Sequence, residues 1–151
     1  LNDPVAEIRR TRAVAAEPQA IWDVLADFGA ISAWADNVDH SCLLSPEAQA
    51  VGISTTRRVQ VGRNTLVERI TEFAPPSTLA YDVEGFPRWL WVNNRWTLTP
   101  SANATAIALI STVKAEGPLG RIVEGVVARV SAKMLDELLT GLANRMEGHN
   151  A

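Results

Sequence analysis

The sequence predicts an α+β fold in which a seven-stranded antiparallel sheet wraps around a long C-terminal helix, with two short helices after the first strand. Three observations predict it. A β-branched, charged opening segment is followed at once by a helix start at Glu17-Pro18. Short alternating runs separated by turn residues fill His40 to Val113, as in an antiparallel meander. Apolar residues then recur at the helical period from about Leu119 to Met146.

Val5 to Val14 reads as an edge-like strand with Arg9, Arg10 and Arg12 on or near solvent. Pro18 suits a first helical position, and Ile21, Trp22, Leu25 and Phe28 recur at helical spacing until Gly29 ends the helix. A second short helix is expected over Ala30 to Ala35, carrying Ile31 and Trp34, with Asp36-Asn37 as its breaker. The meander strands are His40 to Ser45, Ser54 to Val61, Thr65 to Phe73, Thr78 to Glu84, Leu90 to Thr99 and Thr105 to Lys114. Pro46 with Gly52, Gly62-Arg63, Pro75-Pro76, Gly85 with Pro87, and Pro100 to Asn103 punctuate them. Gly117-Pro118 closes the sheet.

The last segment carries Leu119, Ile122, Val126, Val130, Met134, Leu138, Leu142 and their neighbours in one wide stripe, so one face should be buried. At 1.5 Å per residue the helix runs for about 40 Å, enough to cross a small sheet diagonally. The stripe is valine-rich, broader than a coiled-coil seam and interrupted by Gly125 and Gly141, which disfavours a coiled coil.

The chain has 151 residues, a net charge of −3, 47% hydrophobic and 21% charged residues, which fits one folded domain over residues 1–151 and excludes a disordered tail. Mild acidity gives no general attraction to nucleic acid. No apolar run approaches the ~20 residues of a membrane span. The start Leu1-Asn2-Asp3-Pro4 lacks the character of a secretory signal, so a cytoplasmic location is expected; the chain begins without Met, and a removed leader would leave no trace in it. A lone cysteine, Cys42, excludes an internal disulfide and a thiolate zinc site, and is expected to be a buried, inert thiol rather than half of a catalytic pair with His40. With His40 and His149 as the only histidines, no metal site and no cofactor is expected. Gly-x-Gly-x-x-Gly, a P-loop lysine motif and His-Glu-x-x-His are all absent.

Ala16-Glu17-Pro18 with Ile21-Trp22, Asp27-Phe28-Gly29 with Trp34, and Gly52 with Arg57-Arg58-Val59 follow one another in a familiar order. Val67-Glu68-Arg69, Leu79-Ala80-Tyr81 and Leu98-Thr99-Pro100 continue it. In these residues the chain resembles the START-like (SRPBCC) superfamily, specifically the bacterial polyketide cyclase/dehydrase and lipid-transport proteins with their Bet v 1-like helix-grip fold. The resemblance covers nearly the entire chain and rests on order and spacing. It implies a hydrophobic small-molecule partner, such as a lipid, isoprenoid or aromatic polyketide, held between sheet and helix by a carrier or sensor. Because such families mix carriers with cyclases and hydratases, it also admits a polyketide cyclase/aromatase-like enzyme.

If the sheet wraps the helix, strand alternation selects the inward side chains. Leu66, Glu68 and Ile70 form one inward face, and Arg57, Val59 and Val61 another. A two-residue turn at Gly62-Arg63 sets Arg57 opposite Glu68, whereas a four-residue turn would set Val59 there. Leu79, Tyr81 and Val83 point inward by the same rule, as do Val92, Asn94, Trp96, Ile107, Leu109, Ser111 and Val113. Tyr81, Asn94 and Ser111 are then the polar groups that could orient a ligand on an apolar wall. Arg57 and Glu68 could do the same, or could be a purely structural ion pair. By the resemblance Trp34 and His40 are expected near one end of the cavity, Trp34 as core or pocket wall and His40 as a surface or loop histidine or the acid/base candidate for neutral pH. The helix contributes Val126, Val130 and Met134, on a valine-rich face whose small side chains leave room. The candidate ligand-binding set is thus Trp34, His40, Arg57, Glu68, Tyr81, Val92, Asn94, Trp96, Leu109, Val126, Val130 and Met134, with no residue assigned a catalytic role. Trp89 and Trp91 alternate outward beside Phe86-Pro87, as a lid, a homodimer patch or a tip for transient membrane contact; a one-residue register slip would turn them into the pocket.

Overall fold

The computed structural model describes residues 5–46 and 49–148; His149 and the first four residues lie outside them. The chain begins with β1 (Val5–Val14), α1 (Pro18–Ala26) and a 3-10 helix (Phe28–Ala33). Six further strands follow: β2 (His40–Leu43), β3 (Thr56–Val61), β4 (Asn64–Ala74), β5 (Thr78–Glu84), β6 (Leu90–Ser101) and β7 (Ala104–Ala115). Helix α2 (Gly120–Glu147) ends it. The strands form one seven-stranded sheet in the order β1-β7-β6-β5-β4-β3-β2, with every neighbouring pair antiparallel. This is the helix-grip arrangement. Among the described residues no helix is long and apolar enough to cross a membrane.

Local chemistry shifts several boundaries from the sequence expectation. Asp27, at φ −75° and ψ 69°, interrupts the first helix, so Phe28 opens the 3-10 segment instead of closing α1. Ser54 has φ 73° and cannot lie in a regular strand, which delays β3 to Thr56. At the β3–β4 turn Gly62 adopts φ 59°, which a β-carbon would disfavour, and the two-residue loop pairs Val61 with Asn64 and Arg57 with Glu68. A register shift in β4 between Ile70 and Glu72 reverses the alternation beyond it. Phe73 thereby packs edge-on against Trp22 of α1 at 5.3 Å, while Glu72 pairs with Arg95 on the outer face.

The core lies between the inner face of the sheet, α1 and the C-terminal half of α2. Trp22, Phe28, Trp34, Tyr81 and Trp96 are its large members, and Leu135, Leu138, Leu139 and Leu142 complete it from α2. The N-terminal half of α2 behaves differently. Leu119, Ile122, Val126 and Val130 are 64%, 66%, 59% and 62% exposed, so this part of the expected buried stripe faces outward. The stripe was too wide to show which edge meets the sheet.

Both ends of α2 are fixed by close backbone approach. A β-carbon on Gly141 would stand 2.5 Å from the carbonyl oxygen of Trp34, and one on Gly120 would stand 2.4 Å from that of Ala115. Next to Gly120, the buried Glu124 carboxylate accepts the Ala115 backbone N–H at 3.0 Å. Gly125, by contrast, has open space around it. Two alanine substitutions in one helix should therefore act in opposite directions. Gly141→Ala should destabilise the protein by about 1–3 kcal/mol through overpacking, and Gly125→Ala should stabilise it by about 1 kcal/mol through helix propensity. Urea unfolding of the two variants checks both signs.

Candidate functional site

Where α2 spans the sheet between its fixed ends, a cavity of about 210 Å³ remains. Its floor is made by Leu66 and Glu68 of β4, Val83 of β5, Val92 and Asn94 of β6, and Ser111 of β7. The roof is Val127, Ser131, Met134 and Leu135 of α2, and Phe86, Val126 and Val130 complete the lining where it meets solvent. Small side chains on the middle turns of α2 leave this volume unfilled, whereas the leucines further along fill theirs. A larger depression of about 590 Å³ at Asp36, Asn37, Lys133, Asp136, Glu137 and Thr140 is open to solvent and lined mostly by polar residues, and encloses nothing.

Beside the cavity lies a buried ion pair. Arg57 Nε and Nη2 both reach Glu68 Oε1 at 2.8 Å, and the two side chains are 3% and 9% exposed. Arg57 Nη1 also donates to the Phe28 carbonyl oxygen at 2.9 Å. Its guanidinium lies 3.8 Å from the Phe28 ring centroid and 4.8 Å from that of Tyr81. The cation thus has a carboxylate, a carbonyl and two aromatic faces in place of water, which offsets its desolvation. The Tyr81 hydroxyl accepts a hydrogen bond from Trp96 Nε1 at 3.3 Å and also contacts the Asn94 side chain. Burial, and then the Glu68 charge, push the Tyr81 phenol above its usual 10.0, so it stays protonated.

Ser111 differs from these groups. Its hydroxyl is buried on the cavity floor and has no hydrogen-bond partner among the described residues. An unsatisfied buried hydroxyl costs about 1–3 kcal/mol, which a ligand atom placed beside it would recover.

Of the sequence-predicted residues, the cavity gathers Glu68, Val92, Asn94, Val126, Val130 and Met134. Arg57 and Tyr81 stand behind that lining, in contact with Glu68 and Asn94 respectively. Trp34, Trp96 and Leu109 are core: Trp34 packs edge-on against Trp96 at 6.1 Å, and Leu109 is fully buried outside the cavity wall. His40 is exposed at the start of the edge strand β2, so it is a surface histidine and the candidate acid/base role falls away from the cavity. Cys42 is exposed, not buried as expected, because it shares the outer face of β2 with His40 while Ser41 and Leu43 face the protein. Trp89 and Trp91 do face outward, and Trp91 Nε1 donates to Asp82 at 3.1 Å. Phe86, Val127, Ser131 and Leu135 were missed. Counting back in fours from the leucines Leu139 and Leu135 reaches Ser131 and Val127, a signal the broad stripe obscured. Among the described residues no group of three His, Cys, Asp or Glu side chains is placed to hold a metal.

The family described as polyketide cyclase / dehydrase and lipid transport matches residues 5–147. The chain belongs to this family. Comparison with curated proteins found no match. Solved structures share the family's fold. A START superfamily protein from Mycobacterium smegmatis is 18% identical with a TM-score of 0.74, covering 94% of this chain and 97% of that one. TTHA0849 from Thermus thermophilus is 17% identical with a TM-score of 0.73, covering 97% and 100%. The di-domain ARO/CYC protein StfQ from the steffimycin biosynthetic pathway is 13% identical with a TM-score of 0.77, covering 97% of this chain and 52% of that one. At these identities the likeness is one of fold. Family and fold together suggest hydrophobic ligand binding or a cyclase-like function.

Two outcomes follow from the buried cluster. Glu68→Leu strands the Arg57 cation and Arg57→Met strands the carboxylate, so each should cost about 3–5 kcal/mol, while the double variant should cost clearly less than their sum; urea unfolding of the cycle measures this. Tyr81 is the chain's one tyrosine, which makes its titration readable. Folding raises its pKa, so the resulting stability is fully present below the usual 10.0 and is lost as pH rises through the folded value. Tyrosinate absorbance should therefore be missing at a pH of about 10 while far-UV circular dichroism is native, and should appear only at higher pH or with unfolding.

Proposed function

We propose that the protein binds a small, mainly apolar molecule in the cavity between the sheet and α2, as a carrier or sensor, with one polar atom of the ligand directed at Ser111 and Asn94. The observation that carries this reading is the unpaired, buried Ser111 hydroxyl on an otherwise apolar wall. Small-molecule sites combine apolar linings with a few placed polar groups in this way. Each ~100 Å² of apolar ligand surface removed from water contributes about 2.5 kcal/mol before the costs of association.

The cyclase-like reading draws less support. A volume near 210 Å³ lies below the ~300–1,000 Å³ usual for drug-sized ligands and leaves little room to fold a long chain. Glu68 is engaged by Arg57, Tyr81 keeps its proton behind the lining, and His40 points to solvent. Positioned hydrogen-bond donors and water exclusion fit orientation of a ligand better than proton transfer.

Titration with the uncharged fluorophore N-phenyl-1-naphthylamine tests the proposal. Saturable enhancement is expected for the wild type and its loss for Val127→Phe, which places an aromatic ring in the roof. Displacement of the probe by octanol should weaken about tenfold in Ser111→Ala, and displacement by octane should not change. The unliganded Ser111→Ala protein should be more stable than wild type by about 1 kcal/mol. No saturable binding, or binding untouched by Val127→Phe, would refute the reading.

A further inference from the structure

We propose that the N-terminal half of α2 and the turn bearing Phe86 and Trp89 form a docking face for a bilayer of anionic phospholipid. Leu119, Ile122, Val126 and Val130 recur at helical spacing and stand exposed in one stripe, roughly 16 Å long at the rise of an α-helix. The exposed Phe86 shares the cavity lining with Val126 and Val130, and the exposed Trp89 borders a groove with Leu119 and Val123. Helix and turn therefore make one continuous apolar surface. Soluble monomers seldom leave so much contiguous apolar area in water without a use for it.

The charges beside this surface decide its partner. The chain as a whole carries −3, yet the charged residues from Leu119 to Met134 are Arg121, Glu124, Arg129 and Lys133. Glu124 is buried against the Ala115 amide, so the exposed charges on this half of α2 are all cationic. Arg129 and Lys133 lie three and seven residues beyond Val126, on the same side of the helix as the apolar stripe, with Lys133 set in the polar depression beside Asp36, Asp136 and Glu137. Arg88 adds a cation between Phe86 and Trp89, and Glu116 is the exposed acid at the margin. Among the described residues Arg88, Arg121 and Arg129 have no carboxylate partner, and Lys133 lies 3.9 Å from Glu137.

An apolar stripe edged with the exposed cations Arg88 and Arg129 suits an interface where side chains enter the acyl boundary and guanidinium groups meet lipid phosphates. Tryptophan is at home at that depth. A second copy of the chain fits worse, since a two-fold contact through this face would bring its cations against their own equivalents. The inference is independent of any ligand, because it stands on residues outside the cavity as well as on its rim.

Flotation with vesicles tests it, using phosphatidylcholine alone and phosphatidylcholine mixed with phosphatidylglycerol. The wild type should float with the mixed vesicles, should not float with the neutral ones, and should be released by salt. Leu119→Ser with Ile122→Ser should lower the partition coefficient at least about tenfold. Arg129→Gln should lower it about fivefold, the equivalent of one surface charge. Neither Leu119 nor Ile122 lines the cavity, so the double variant should keep its circular dichroism and its N-phenyl-1-naphthylamine binding. Equal flotation with neutral vesicles, no flotation, or flotation indifferent to these substitutions would overturn the proposal. So would a concentration-dependent dimer in sedimentation that the double variant dissociates, with no vesicle binding. Failure of probe binding with flotation intact would refute the ligand reading alone.

Discussion

At Gly120 and Gly141 the backbone of α2 lies so near the rest of the chain that a methyl group would meet the carbonyl oxygens of Ala115 and Trp34 at 2.4 Å and 2.5 Å. Between these supports the helix runs for about 30 Å over the sheet. A twisted sheet curves away beneath a straight helix, so the separation between them is filled only where the helix carries long side chains. Leu135, Leu138, Leu139 and Leu142 provide them on the last turns and are buried. Val127 and Ser131 do not, and the cavity lies there. The hollow is thus a consequence of where the helix is anchored combined with which of its turns carry leucine.

The polarity of that hollow is set by the ion pair beside it. Arg57 uses its fork on Glu68 and the Phe28 carbonyl and covers its faces with Phe28 and Tyr81, so both charges are satisfied within the protein. A buried pair of this kind is poor evidence for stability and better understood as fixing one arrangement of the strands and the 3-10 segment that meet at it. It also removes the obvious polar groups from the ligand's reach. Tyr81 is bonded by Trp96 and contacts Asn94, which leaves Ser111 as the group with an unmet hydrogen bond on the floor.

The inward faces of the sheet were legible in the sequence because alternation holds through Arg57, Glu68, Asn94 and Ser111; whether Arg57 or Val59 stands opposite Glu68 was open until the structure showed a two-residue loop at Gly62-Arg63. The rotation of α2 was not legible. With apolar residues spread over a broad arc of its first half, periodicity alone could not distinguish Val127, at one edge of that arc and roofing the cavity, from Ile122, at the other edge and meeting solvent. His40 and Cys42 were misplaced for a related reason. Both lie on the outer face of β2, whose inward residues are Ser41 and Leu43, and a four-residue run with one strongly apolar member marks that choice only weakly. The shift in β4 did leave a mark that strict alternation passes over: without it Glu72 would share the inward face of Ile70 and Phe73 would point outward.

The two halves of α2 also differ in how firmly they are held. Its C-terminal half buries four leucines and Ala143, whereas the N-terminal half buries Gly120 and Glu124 and exposes its larger apolar residues. Local opening draws on the least buried segments, so any widening of the cavity for a ligand falls on the turns around Val126 and Val130 and leaves the leucine-packed end intact. Those turns form the rim, and their outward neighbours are apolar too. A polar rim would make an apolar ligand cross a layer of bound water at the entrance; valine at these positions removes that barrier. The valines that leave the interior unfilled and the exposed residues that continue from them are therefore parts of one apolar path, whose inner end is the unpaired hydroxyl of Ser111 on the cavity floor.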